Sequence, residues 1–184
     1  MRVISGSAKG RRLQAVPGRQ TRPITDRVKE ALFDIIAGDV VDSEWWDVFA
    51  GTGAVGIEAL SRGAAFARLT DLNRAPLDTI KLNLENTQLS GRAEVRRADA
   101  FKLLTERPDR QFHYVYIAPP QYQGHWQRAL LSLDANPTWL AGDAWAVIQI
   151  DPREYEPQAL AHLREFDVRR YGTTMLAFFD RAES

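Results

Sequence analysis

Asp47-Val48-Phe49-Ala50-Gly51-Thr52-Gly53-Ala54-Val55-Gly56 decides the fold of this chain. A short apolar run, Trp45–Phe49, enters a glycine turn that opens a helical pattern. Glycines permit so tight a turn and let a ligand approach the backbone, and the start of the helix offers N–H groups that no earlier carbonyl engages. Gly51, Gly53 and Gly56 fit G-x-G-x-x-G, and Asp71 stands at the end of the next strand-like run, 20 residues after Gly51. Taken alone, the motif is compatible with a nicotinamide dinucleotide and with S-adenosylmethionine.

Around this turn, short apolar runs alternate with longer stretches of helical period, the signature of a parallel sheet flanked by helices. Strands are predicted at Trp45–Phe49, Phe66–Asp71, Ala93–Arg97, Tyr114–Ile117 and Ala144–Ile150. Helices are predicted near Val55–Arg62, Ala75–Asn86, Ala100–Glu106, Gln123–Leu133 and Glu156–His162. Phe166–Tyr171 and Thr174–Phe179 follow, joined only by Gly172 and Thr173, a link too short for a parallel crossover; they must pair antiparallel. Upstream, Arg2–Gly6 and Arg12–Pro17 read as a small basic hairpin. A helix beginning at Thr25 carries Val28, Ala31, Leu32, Ile35 and Ile36 at helical spacing until Gly38, with Arg27 and Lys29 placed off its apolar face.

With 184 residues, 45% of them hydrophobic, the chain suits a single domain. Residues 1–38 are expected to form a basic extension on a core spanning 39–184. No stretch approaches the roughly 20 apolar residues of a membrane span, and the start lacks a signal-peptide pattern, so a cytoplasmic protein is expected. The absence of cysteine excludes disulfides, thiolate metal sites and any reaction through a thiol nucleophile, including methylation of pyrimidine C5 by that route. His113, His125 and His162 have no metal-ligand spacing, and no metal is expected. Net charge is zero, but it is unevenly spread. Residues 1–30 hold eight Lys/Arg against two acids, and the remainder holds 16 against 22. A basic arm on an acidic body suits a partner rich in phosphate.

Three features favour S-adenosylmethionine over a dinucleotide. The chain is too short for the second, substrate-binding domain of a dehydrogenase. The closing antiparallel hairpin belongs to the seven-stranded methyltransferase sheet. Finally, Tyr116-Ile117-Ala118-Pro119-Pro120-Gln121-Tyr122 places two prolines at the end of the fourth strand, where they leave carbonyls outside any ladder and aimed at the crevice in which such sheets bind ligands.

These segments resemble the RsmD family, the guanine-N2 methyltransferases of 16S ribosomal RNA. The likeness runs through Arg2–Gly6, Lys9–Leu13, Thr21–Phe33, Asp47–Gly56, Glu58–Ala64, Asp99-Ala100, the double proline and Arg170–Thr174. The Thr-Arg-Pro and Asp-Arg-Val segment is specific to that family, whereas the glycine turn belongs to the whole methyltransferase class. The resemblance implies an α/β, Rossmann-like class I methyltransferase fold: a seven-stranded, mostly parallel sheet with an antiparallel C-terminal hairpin. It also implies S-adenosylmethionine as methyl donor and 16S rRNA, or the assembling small ribosomal subunit, as partner of a monomeric enzyme.

By the same resemblance Asp47 lies near the amino-acid end of the donor, and Phe49, Ala50, Gly51, Thr52 and Gly53 cradle it. Asp71, followed by Leu72, accepts the ribose hydroxyls; a carboxylate offers paired acceptors to a cis-diol. Asp99 and Ala100 meet the adenine edge. Lys9, Arg11, Arg12, Arg22 and Arg27 contact RNA. Pro119, Pro120, Gln121 and Tyr122 form the catalytic loop, in which the family uses an Asp or Asn before the prolines and the first proline's carbonyl to hold the guanine amine, and an aromatic ring to stack on the base. Here the chain departs from the family: Ala118 occupies the acid or amide position, and Gln121 separates the prolines from Tyr122. The Gln121 side-chain oxygen is the replacement acceptor considered, and Trp126 a second candidate for stacking. Two other functions compete with the enzyme, an RNA-binding or ribosome-assembly protein that has lost catalysis with the Ala118 position, and a small nicotinamide-dependent oxidoreductase.

Overall fold

The computed structural model describes residues 1–18 and 23–182. The fold is α/β with a seven-stranded mixed sheet, and the chain falls into two compact units, Met1–Ala98 and Asp99–Ser184.

In the first unit, β1 (Glu44–Asp47), β2 (Phe66–Asp71) and β3 (Ala93–Arg97) run parallel in the order β3-β2-β1. The helices α2 (Ala54–Ser61) and α3 (Arg74–Thr87) make the connections. Every residue of α2 is buried, as its nearly uninterrupted apolar sequence requires. The β1 strand ends two residues before the predicted Phe49, because Val48 and Phe49 already belong to the turn. The preceding helix, α1 (Asp26–Ile36), starts where predicted: the Thr25 hydroxyl accepts the Val28 N–H and caps its first turn.

Two expectations for the N-terminal segment are corrected. Instead of two strands, one antiparallel bridge joins Arg2 to Arg12, closed by Val3 N–H to Arg11 O and Gly10 N–H to Val3 O. The N–H groups of Ile4 and Ser5 go to the Glu58 carboxylate and that of Gln14 to the Asn83 side chain, so a longer ladder lacks their donors. Lys29 does not lie off the apolar face of α1. It is fully buried, with its ammonium 3.3 Å from the equally buried Glu58 carboxylate.

In the second unit, α4 (Ala100–Thr105), β4 (Phe112–Ile117), α5 (His125–Ala135), β5 (Leu140–Ile150), β6 (Leu163–Tyr171) and β7 (Thr174–Arg181) follow in order. The strand order is β4-β5-β7-β6; β4 and β5 are parallel, and β7 is antiparallel to both its neighbours. Gly172 (φ 61°) and Thr173 turn the hairpin, with Tyr171 opposite Thr174.

The helix predicted at Glu156–His162 is absent. Pro152–Glu154 makes one 3-10 turn, and the chain then runs without helix into β6. Asp134 of α5 is the reason. Its carboxylate accepts the backbone N–H groups of Ala161, His162 and Leu163, and these three bonds hold its carboxyl below the ordinary carboxylate value against the effect of burial. N–H groups engaged this way are lost to a helical ladder.

Candidate functional site

The glycine turn of the first unit uses its glycines for different purposes. Gly51 (φ 54°) has open space where a Cβ would stand, so the turn is accessible there, whereas a Cβ at Gly56 would come within 2.9 Å of the Leu69 side chain. Gly53 (φ 80°) begins α2 in a left-handed conformation. Closing bonds run from Ala50 N–H to Thr70 O and from Gly53 N–H to Ala50 O. Phe49 and Gly51 are half-buried, while Ala50, Thr52 and Gly53 are buried.

Asp71, at the end of β2, is tied into this turn. One carboxylate oxygen accepts the Gly51 N–H at 3.3 Å and the other accepts the Asn73 N–H at 3.0 Å. Leu72 beside it is 55% exposed.

Asp47, at the end of β1, is 2% exposed, and its Oδ1 is buried without a hydrogen-bond partner. Burial pushes its carboxyl up to about 7; the Gly56 N–H opposes the shift and the Asp71 charge adds to it. The unfolded chain releases this proton near the ordinary value of 3.8. The folded chain therefore binds the extra proton between those pH values, and its stability from this group falls as pH rises from about 4 to 7. The limiting slope is about 1.4 kcal/mol per pH unit. Asp47→Asn is expected to abolish this decline. Urea unfolding of both proteins at pH 5 and pH 8 checks it: an equal pH dependence in the two would show that Asp47 ionises normally.

Two residues that the sequence reading passed over hold the turn and the basic segment. Asn83, fully buried on α3, donates to Thr52 O and Gln14 O and accepts from Gln14 N–H. Its signal is a polar residue within the apolar stripe of Leu77, Ile80 and Leu84. Glu58 of α2 accepts the backbone N–H groups of Ile4 and Ser5 and ion-pairs with Lys29 and Arg62. Gly6 packs so closely that a Cβ would stand 1.8 Å from Ser61 O.

Lys9, Arg11, Arg12 and Arg27 are exposed, and Arg11 also donates to Asn86 O at 2.5 Å. Arg22 lies outside the described residues.

In the second unit, Asp99 caps α4, one oxygen accepting from Phe101 N–H and Lys102 N–H. Ala100 is buried beside it. At the end of β4, Ala118 is half-buried, Pro119 buried, Pro120 exposed and Gln121 half-buried. Tyr122 is 58% exposed. Trp126 is not available for stacking on a base: it is 3% exposed and lies parallel to Tyr155 at 6.4 Å between centroids. Among the described residues no group of three His, Asp or Glu is placed to hold a metal ion, and no helix is long and apolar enough to cross a membrane.

A family model described as "Conserved hypothetical protein 95" matches residues 1–180. The chain is 37% identical over 183 residues to YlbH of Bacillus subtilis, covering 98% of this chain and 99% of that one. It is 36% identical over 149 residues to ribosomal RNA small subunit methyltransferase D of Escherichia coli K12, covering 81% and 74%. Among solved structures, yhhF of Escherichia coli superimposes with a TM-score of 0.87 at 32% identity, covering 98% of this chain and 97% of the other.

Proposed function

Because the chain belongs to the "Conserved hypothetical protein 95" family, in which it is akin to ribosomal RNA small subunit methyltransferase D, we propose that it methylates the exocyclic N2 of a guanine in 16S rRNA. Guanine 966 is the family-typical target, and S-adenosylmethionine is the donor. The observation that carries this reading is the kinship to ribosomal RNA small subunit methyltransferase D over 81% of the chain; the glycine turn with Asp71 bound to it, open on the side of Gly51, is where the donor fits. When bound, the donor supplies a methyl group on a positively charged sulfonium, whose neutral thioether is so good a leaving group that the amine needs no strong base.

The residues fit that donor. The free side of the Gly51 turn admits a ligand against the backbone, and Asp47, a desolvated carboxyl with an unpartnered oxygen, suits its cationic amino-acid end. Asp71, at the end of β2 beside the glycine turn, takes the ribose hydroxyls. Asp99 and Ala100 meet the adenine edge. In the catalytic loop the Pro119 carbonyl and the Gln121 amide oxygen accept the hydrogens of the guanine amine and favour a pyramidal nitrogen, while Tyr122 stacks on the base. A donor held there would supply its methyl group to N2, and the proton lost from N2 would go to solvent. Lys9, Arg11, Arg12, Arg22 and Arg27 contact phosphates.

Asp71→Ala is expected to weaken donor binding roughly ten- to a hundredfold, about 1.5–3 kcal/mol for one charge-assisted acceptor. Calorimetry decides, and an unchanged affinity removes Asp71 from the ribose. The reaction itself is tested by transfer of tritiated methyl onto small subunits lacking the modification, with mass spectrometry to place the product on guanine N2. Ala118 is the observation that favours the second reading, an RNA-binding or assembly protein without catalysis; donor and RNA binding with no transfer would establish it.

A further inference from the structure

Tyr122 stands in a conformation that a bulky side chain seldom adopts. Its φ is 59°, in the left-handed region, although it is not glycine. Such a backbone persists only where its surroundings over-determine it, and it concentrates at sites where a side chain must be aimed.

Those surroundings come from the turn after β5. Tyr122 N–H donates to the Glu154 carboxylate at 2.5 Å. Its hydroxyl donates to Asp151 at 2.5 Å and accepts from the Arg153 guanidinium at 2.5 Å, so the hydroxyl is fully engaged. Arg153 in turn grips Asp151 at 2.8 and 3.2 Å, and Asp151, 2% exposed, is fixed further by the Arg153 N–H. The guanidinium carbon lies 5.6 Å from the centre of the tyrosine ring. β4 and β5 are parallel neighbours, with Ile117 opposite Ile148, so the proline loop and this turn emerge together at the carboxyl ends of their strands, where sheets of this kind bind ligands. The ring is thus anchored at its tip and at its backbone while the residue stays 58% exposed.

We infer that the Asp151-Pro152-Arg153-Glu154 turn is a clamp whose three charged residues position Tyr122, presenting a fixed aromatic face on which the substrate guanine stacks. This rests on the methyltransferase reading above. The clamp compensates for the extra Gln121, which moves the aromatic residue one place along the loop: in the left-handed conformation, held by the neighbouring turn, the ring is secured despite the shift. A latch joining two loops would need neither an exposed ring nor a strained backbone. Consistent with the geometry, the Asp151 hydrogen bond raises the Tyr122 phenol above its ordinary value, and the Arg153 and Tyr122 bonds hold the Asp151 carboxyl well below the carboxylate range.

Tyr122→Phe keeps the ring and removes its anchor; Arg153→Met removes the other half of the same contact. Each is expected to slow single-turnover methyl transfer about tenfold or more, the scale of one charge-assisted hydrogen bond, with donor affinity unchanged. The double variant is expected to be no slower than the slower single variant, because both act through one contact. A small-subunit rRNA fragment carrying 2-aminopurine in place of the target guanine supplies a readout independent of catalysis. Its fluorescence is quenched by stacking on wild type, and the quenching is lost in Tyr122→Ala and reduced in parallel by Tyr122→Phe and Arg153→Met. Active wild type with both single variants as fast, or with additive losses, overturns the clamp and leaves the enzyme standing. Wild type without transfer, but with quenching that depends on Tyr122 and Arg153, supports the clamp and overturns the enzyme. Quenching indifferent to both residues overturns the clamp in either case.

Discussion

Replacing Glu58 with alanine will lower the free energy of unfolding by about 3–5 kcal/mol, the cost of leaving a buried charge without its partner. Lys29 and Glu58 are both fully shielded from solvent, 3.3 Å apart. Burial lowers the Lys29 pKa and the Glu58 carboxylate pulls it back up. The same carboxylate receives Arg62 at 2.8 Å and the N–H groups of Ile4 and Ser5 at 2.8 and 3.0 Å. Removing it leaves the Lys29 ammonium without a counter-charge, held by the Arg2 carbonyl at 2.6 Å, strands two backbone donors, and frees the segment that carries Lys9, Arg11 and Arg12. Urea denaturation at neutral pH measures the loss, and a change below about 1 kcal/mol would show that water replaces the carboxylate. Glu58→Gln, which keeps an acceptor of the same shape, is expected to cost less.

In Gln121→Ala the rate of methyl transfer is expected to fall by a factor on the order of a hundred to a thousand, about 2.7–4 kcal/mol, with donor affinity nearly intact. The family places an acid or amide before the prolines, and this chain has Ala118 there, half-buried at the end of β4. If the Pro119 carbonyl and the Gln121 amide orient the guanine amine together, losing the amide removes an interaction that strengthens as the nitrogen becomes pyramidal. Such a loss lowers the chemical step rather than ground-state binding. Single-turnover rates at saturating donor, beside calorimetry of donor binding, separate the two. An indifferent Gln121→Ala in an active protein leaves the Pro119 carbonyl as sole acceptor; a wild type without transfer that Ala118→Asn rescues identifies a chain whose catalysis lapsed at that position.

Features that follow from neighbours along the chain can be read from the residues alone. The glycine turn, the capped start of α1 at Thr25, the strand Phe66–Asp71 that delivers Asp71, and the two-residue link that forces β6 and β7 antiparallel were all legible, since φ, helical period and turn length are local properties. The placement of charged groups was not. Lys29 reads as a solvated residue because nothing within a helical turn reveals Glu58, 29 positions on, and a helix predicted at Glu156–His162 was undone by Asp134, whose three bonds reach Ala161, His162 and Leu163. Likewise Tyr122 was recognisable as a ring after two prolines, yet its left-handed backbone and its hold by Asp151, Arg153 and Glu154 exist only once β4 and β5 lie side by side. A desolvated charge or a strained backbone is stabilised by partners distant in sequence, and only the tertiary structure brings those partners within hydrogen-bonding reach.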